Sequence, residues 1–189
     1  AQLLSFGKGN GPEKTRVEVG PLIRNAVAFS AIGSAVKPVV HVENGLWPVR
    51  ANAEQIKQLM SNLTINALHA IRDGGESVVL NAENLPADDA RVAGLGPVRH
   101  IRIVVRDDGP GILPSDMEHI FEPFFTTKKN GTGLGLPLSA LIVAGHGGKL
   151  TVESVPGRGA AFSVFLPANN DGAGHVATES AISTTQKGV

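Results

Sequence analysis

The sequence predicts an α+β fold, a two-layer sandwich in which a mixed sheet carries helices on one face. Three observations lead there. A long amphipathic helix is written between residues 52 and 72, with shorter helical patterns before and after it. The β-prone runs are short and alternate apolar with polar residues, so each buries one face. They fall in hairpin-like pairs between the helices, without strict strand–helix–strand order, which argues against an all-parallel sheet.

Taken in order, Thr15 to Val19 alternates and reads as a short strand. Pro21 then opens a helix, because its fixed φ suits a first turn and its missing N–H costs nothing there. Ile23, Ala26, Val27 and Ser30 fall at i, i+3, i+4 and i+7 on one face of it. Val39–Val42 and Leu46–Val49 are β-prone runs separated by the turn signal Glu43-Asn44-Gly45. Asn52 is a good N-cap, and Gln55 three residues on completes the pattern of a capping box. The helix that follows is expected to reach about Arg72, with Ile56, Leu59, Met60, Leu63, Ala67 and Ile71 as its core stripe. Asp73-Gly74-Gly75 stops it.

Val78, Leu80 and Ala82 alternate in a strand, and Pro86–Val98 reads as an exposed loop. Ile101, Ile103 and Val105 alternate in a strand that ends at Asp107. Leu138–Ala144 is helical and closes on Gly145-His146-Gly147-Gly148. Two last strands, Leu150–Ser154 and Ala161–Leu166, flank a Pro156-Gly157-Arg158-Gly159 turn.

Composition bounds the possibilities. The 189 residues suffice for one domain with a real core. The formal net charge is zero, which gives no support to a nucleic-acid partner. The absence of cysteine excludes disulfides, thiolate metal sites and a thiol nucleophile. No apolar run approaches the ~20 residues needed to span a bilayer, and no secretory apolar segment opens the chain. Residues 13–167 carry the periodic patterns of a domain. Residues 1–12 read as a linker, and 168–189 as a disordered tail of small polar residues.

Three features can carry chemistry. Gln58, Asn62 and Asn66 lie at i, i+4 and i+8, on one helical face. Amides are poor helix formers, so they are either solvated surface or a row facing a ligand. An Asn oxygen is a hard neutral donor suited to Mg²⁺ held mainly by water and phosphate. Next, Asp107-Asp108-Gly109-Pro110-Gly111-Ile112 follows a strand directly. It is either a tight surface turn or a carboxylate beside a backbone that a ligand can approach closely. Last, Gly131-Thr132-Gly133-Leu134-Gly135-Leu136 runs into a helix with Pro137 in its first turn. Free N–H groups and the dipole make that an anion site, with Lys128 and Lys129 just upstream. It is neither a Walker A loop nor a dinucleotide fingerprint. The six His residues show no zinc-ligand spacing. Phe121, Phe124 and Phe125 are most simply core anchors for a long loop from Ile112 to Gly131, and that loop suits a lid.

In this order the features resemble the sensor histidine kinases. Asn62-Leu63-Thr64-Ile65-Asn66-Ala67 is similar to their N box, and Asp107–Ile112 to their first glycine box. Phe121-Glu122-Pro123-Phe124-Phe125-Thr126-Thr127-Lys128 resembles their F box, and Gly131–Leu136 their second glycine box. The resemblance covers roughly residues 15–167. It implies the Bergerat ATP-binding fold with a mobile lid over ATP. By resemblance, Asn66 coordinates Mg²⁺, Asn62 lies by the phosphates and His69 faces phosphate. Asp107 accepts the adenine amino hydrogen, and Gly109, Gly111 and Ile112 pass the base. Lys128 is a γ-phosphate candidate, with Thr132, Gly133, Leu134, Gly135 and Leu136 around the phosphates.

Hydrolysing members of the superfamily carry a Glu four residues before the metal Asn. Asn62 stands there, and an amide cannot take a proton from water. The resemblance therefore implies a phosphoryl donor. The γ-phosphoryl would go to a His on a separate dimerising hairpin, and then to a response regulator's receiver domain. That hairpin is absent from this sequence; Ala1–Gly7 would fit the stub of its second helix. The family often has Thr where this chain has Ala160. The expected setting is cytoplasmic, in a homodimeric whole kinase, the piece itself being monomeric. A degenerate nucleotide-binding regulatory module and an ATPase of this superfamily are the alternatives.

Overall fold

A computed structural model describes residues 13–92, 94–128 and 131–169. The expected linker, residues 1–12, and residues 170–189 of the expected tail at 168–189 lie outside the described residues. The elements run β1 (Thr15–Val17), α1 (Val19–Ser30), β2 (Val39–Val42), β3 (Val49–Ala51), α2 (Ala53–Ala70), β4 (Val78–Leu85), α3 (Ala87–Val92), β5 (His100–Asp107), α4 (Pro114–Met117), α5 (Gly135–Gly145), β6 (Lys149–Ser154) and β7 (Ala160–Pro167).

The main sheet has five strands in the order β2-β4-β5-β7-β6. β2 runs parallel to β4 and the other pairs are antiparallel, so the sheet is mixed as expected. One face is apolar: Leu80, Ile103, Val105, Phe162 and Val164 are all buried there under Ile23 and Val27 of α1, Ile56, Leu59, Met60 and Leu63 of α2, and Ile142 of α5. The four α2 residues are fully buried, and each contributes about 1.5–3 kcal/mol by leaving water. The other face alternates polar. Glu83 stands opposite Arg102 across β4 and β5, and the two side chains pair.

The structure departs from the sequence reading in four places. α1 begins at Val19, so Pro21 lies inside its first turn and does not open the helix. β2 and β3 do not pair with each other; β3 pairs antiparallel with β1 in a separate two-stranded sheet. The segment between them is held instead by Asn84, which accepts from the Trp47 N–H and donates to the Glu43 carboxylate and the Gly45 carbonyl. Pro86–Val98 is not simply an exposed loop. Six of its residues form the short helix α3, whose Ala90 is fully buried. The capping box of α2 is half formed. Asn52 Oδ1 accepts from the Gln55 N–H at 3.0 Å, but the Asn52 N–H goes to His146 Nε2 at 3.1 Å. Beyond β7, Ala168 still bridges to Val49 and Asn169 donates to the Pro48 carbonyl.

Candidate nucleotide site

Asp107 ends β5 on the face that the helices cover, in line with Ile101, Ile103 and Val105, and is only 4% exposed. Its Oδ1 accepts from the Gly109 N–H at 3.1 Å and the Ala160 N–H at 3.3 Å. Among the described residues these hydrogen bonds both fall on Oδ1, so Oδ2 is the oxygen left for a ligand. Burial pushes the carboxyl above its ordinary pKa; the two N–H groups oppose that shift, the neighbouring Asp108 charge adds to it, and Lys128 opposes it.

Asp108 faces the other way. Its Oδ1 accepts from the N–H groups of Glu76 at 2.8 Å and Ser77 at 2.9 Å, and its Oδ2 from Ser77 Oγ at 2.9 Å. These bonds hold its carboxyl below the ordinary value. They also tie the end of β5 to the loop that enters β4.

The chain after Asp107 is threaded between α2 and the β6–β7 turn. A Cβ on Gly109 would lie 3.0 Å from the carbonyl of Ala70, at the end of α2. Gly111 has φ +73 and abuts the Val155 carbonyl, so no other residue fits its place. Gly157 donates to the Pro110 carbonyl at 2.7 Å. Ser154 Oγ accepts from the Ile112 N–H at 2.9 Å and donates to the Gly159 carbonyl at 2.8 Å.

The other end of the site is made by α2 and α5. Asn62 and Asn66 share a face of α2, and both amides lie close to Gly135, the first residue of α5. Asn62 Nδ2 donates to the Gly135 carbonyl at 3.3 Å, and Ser139 Oγ donates to the same carbonyl at 2.8 Å. No side chain caps α5 and its first turn holds no acidic residue. Its N-terminus therefore remains positive and open to an anion. His69 lies half-buried in the last turn of the same helix α2. Thr132 Oγ1 accepts from the Leu134 N–H at 3.4 Å, and Leu134 and Leu136 are half-buried at the start of α5.

The chain leaves the Asp107 end at Ile112. Ile120 is buried, and Phe121 and Phe125 pack on the core. His119 pairs with Glu122 at 3.0 Å, and its ring lies 5.6 Å from that of Phe125. Phe124 is not the core anchor that the sequence suggested: it is 71% exposed and has φ +71, unusual for a side chain of this size. Its backbone explains this. The Phe124 N–H donates to the Gly133 carbonyl at 2.9 Å, and Gly133, at φ +64, packs against the Phe124 backbone. Lys128 acts electrostatically on Asp107, so its charge is felt at the Asp107 end.

Most of the sequence-predicted residues thus converge. Reading the sequence alone missed Asp108 as a clamp, Ser154 as a strap and the Ala160 N–H as an Asp107 donor. The Ser154 strap had no local signal. Asp108 had one, because a second carboxylate beside a strand end needs donors from somewhere.

Among the described residues no group of three or more His, Asp or Glu is placed to hold a metal ion. The donors at the α2–α5 end are neutral amides, which fit an Mg²⁺ held chiefly by phosphate oxygens and water.

Comparisons with known proteins point to one family. The family described as "Histidine kinase-, DNA gyrase B-, and HSP90-like ATPase" matches residues 51–170. The chain is 34% identical over 174 residues to the signal transduction histidine-protein kinase AtoS of Escherichia coli K12, covering 90% of this chain and 27% of that protein. It is 37% identical over 147 residues to the sensory histidine kinase/phosphatase NtrB of Rhizobium meliloti, covering 76% of this chain and 38% of that protein. The chain thus spans well under half the length of these relatives. Among solved structures, the catalytic domain of histidine kinase ThkA superposes with a TM-score of 0.67 at 30% identity, covering 82% of this chain and 96% of that one. A mycobacterial sensor histidine kinase, MprB, gives 0.68 at 25% identity, covering 82% and 97%. Fold, site and relatives together place the chain in the histidine kinase-, gyrase B- and HSP90-like ATPase family, in the form seen in the catalytic domains of sensor histidine kinases.

Proposed function

We propose that this domain binds ATP with Mg²⁺ and donates the γ-phosphoryl group to a His imidazole on a separate helical hairpin, as part of a cytoplasmic two-component kinase. The observation that supports it most is the pairing of two unlike ends in one site. A buried carboxylate with one oxygen free, Asp107, suits the exocyclic amine of adenine. The open N-terminus of α5, with Asn62 and Asn66 beside it, suits a polyphosphate.

Each residue has a distinct task in this reading. Asp107 orients the base and so sets where the γ-phosphate ends. The α5 N–H groups, with Lys128 and His69, hold the phosphates, and Asn66 would hold Mg²⁺, which would supply charge neutralisation. In the transfer an N–P bond forms to the imidazole, the β,γ-bridging O–P bond breaks and ADP leaves. Asn62 offers no base for water, which favours transfer over hydrolysis.

The test is a titration of ATP·Mg²⁺, followed by addition in trans of the matching dimerisation hairpin. Nucleotide binding with phosphate appearing on the hairpin's His, and no turnover without it, is the expected result. Absence of binding would leave a regulatory module. Steady turnover without an acceptor would make the protein an ATPase. Passage of the phosphoryl group from that His to a receiver domain extends the same assay.

A further inference from the structure

His146 lies outside every element of the nucleotide site, yet it is 8% exposed and caps the end of α5. Its Nδ1 is 2.7 Å from the Ile142 carbonyl, and its Nε2 is 3.1 Å from the backbone N of Asn52. A carbonyl only accepts and a backbone N–H only donates. The proton therefore sits on Nδ1 and the lone pair on Nε2, and the ring is neutral. A second proton would set two N–H groups against each other. Three chain segments meet at this point. Asn52 Nδ2 donates to the Glu13 carbonyl at 3.2 Å, and the Lys14 ammonium donates to the Gly145 carbonyl.

The position matters because α2 and α5 run side by side and are clasped twice. One clasp is Asn52 to His146; the other is Asn62 to Gly135. The ten residues from 52 to 62 and the eleven from 135 to 146 each span about 15–17 Å of helix. Loosening the first clasp frees one end of the pair and lets the second slide.

We propose that His146 is a positioning residue, a neutral clasp that fixes the start of α2 to the end of α5 and so keeps Asn62 and Asn66 beside the phosphate-facing end of α5, and that protonating it weakens triphosphate binding. The coupling to binding rests on the nucleotide reading of the site; the clasp itself does not. The surroundings favour the neutral ring. Burial and the Lys14 charge both lower its affinity for a proton, against the Ile142 carbonyl, which raises it. Glu54, in the first turn of α2, is engaged by Lys57, and Lys149 of β6 is exposed. The folded pKa lies below the ordinary 6.5. Stability from the clasp is then present above about 6.5 and lost as pH falls through the folded value.

The experiment uses the full chain as wild type, His146→Gln and His146→Asn. The Gln amide can reach the place of Nε2 and accept from Asn52 without titrating; Asn keeps only the bond to Ile142. NMR follows the His146 ring, and thermal unfolding and ATP·Mg²⁺ affinity are measured from pH 5.5 to 8. The expected results are a ring midpoint below 6.5 and an acid loss of wild-type affinity of about fivefold beyond that of His146→Gln, one hydrogen bond's worth. His146→Asn is expected to bind about fivefold more weakly at neutral pH. Every other ionisable group is common to the three proteins, so the difference isolates His146. A midpoint at or above 6.5, or superimposable wild-type and His146→Gln profiles, overturns the proposal. If the wild type binds no nucleotide, the coupling falls with the reading of the site. A low ring midpoint with an acid loss of stability that His146→Gln removes would then still establish the clasp.

Discussion

The two ends of the site are built differently. At the Asp107 end every backbone segment is pinned. Asp107 takes two N–H groups, Asp108 clamps the neighbouring loop with three bonds, and Ser154 ties the glycine segment to the β6–β7 turn. At the α5 end the bonds hold carbonyls of the entering chain, Gly133 by Phe124 and Gly135 by Ser139 and Asn62, and among the described residues no side chain caps the N–H groups of the first turn. In the proposed nucleotide reading the base end is preformed, whereas the phosphate end leaves groups for a ligand to satisfy. A rigid base end would set position, and an adaptable phosphate end would let the product leave.

Asp107→Asn tests the preformed end most directly. It removes the charge and places an NH₂ where the free oxygen was. ATP affinity should fall by about 10- to 100-fold, the value of a charge-assisted hydrogen bond. Stability should not fall with it. The folded pKa of Asp107 is raised, so its contribution is fully present below about 3.8 and is lost as pH rises through the folded value. At neutral pH the ionised group is a cost, and the melting temperature of the Asn variant should equal or exceed that of the wild type. A parallel fall in affinity and melting temperature would show Asp107 to be structural.

Gly111→Ala comes next. It forces a side chain into a left-handed backbone against the Val155 carbonyl, and should cost about 2 kcal/mol of stability by chemical denaturation. An unchanged midpoint would mean that the pocket is not rigid.

Asp108→Ala should cost about 1 kcal/mol, because its partners are exposed and water replaces the lost acceptor. Its folded pKa is lowered, so this contribution is present above about 3.8 and disappears as pH falls through the folded value, opposite in sign to Asp107. Comparing the acid unfolding of the two single variants reads both signs.

The smallest change is expected from Asn62→Ala. Loss of one 3.3 Å hydrogen bond should leave the melting temperature nearly unmoved, and weaken ATP·Mg²⁺ about fivefold without changing adenosine binding. An equal loss for adenosine would place Asn62 in the base pocket and erase the contrast between the ends.

Much of this was legible residue by residue. The core stripe of α2, the strand that ends at Asp107 and the glycines that run into α5 are local patterns, and the structure keeps them. Where the reading failed, a distant residue competed with a local one. The Asn52 N–H leaves its own capping box for His146. β2 leaves its hairpin neighbour for β4. Phe124 gives up burial because its backbone is bonded to Gly133.

By itself the sequence determined the long helices and most of the strands, which faces are apolar, and which amides, carboxylate and glycines form candidate boxes. Those properties follow from side-chain periodicity and backbone sterics, which act within a few residues. Only the tertiary structure decided that two adjacent aspartates have opposite tasks, that the β6–β7 turn straps the glycine segment, and that α2 and α5 are clasped at two points. These depend on which donors arrive from 30 to 95 residues away, and no local pattern encodes an arrival.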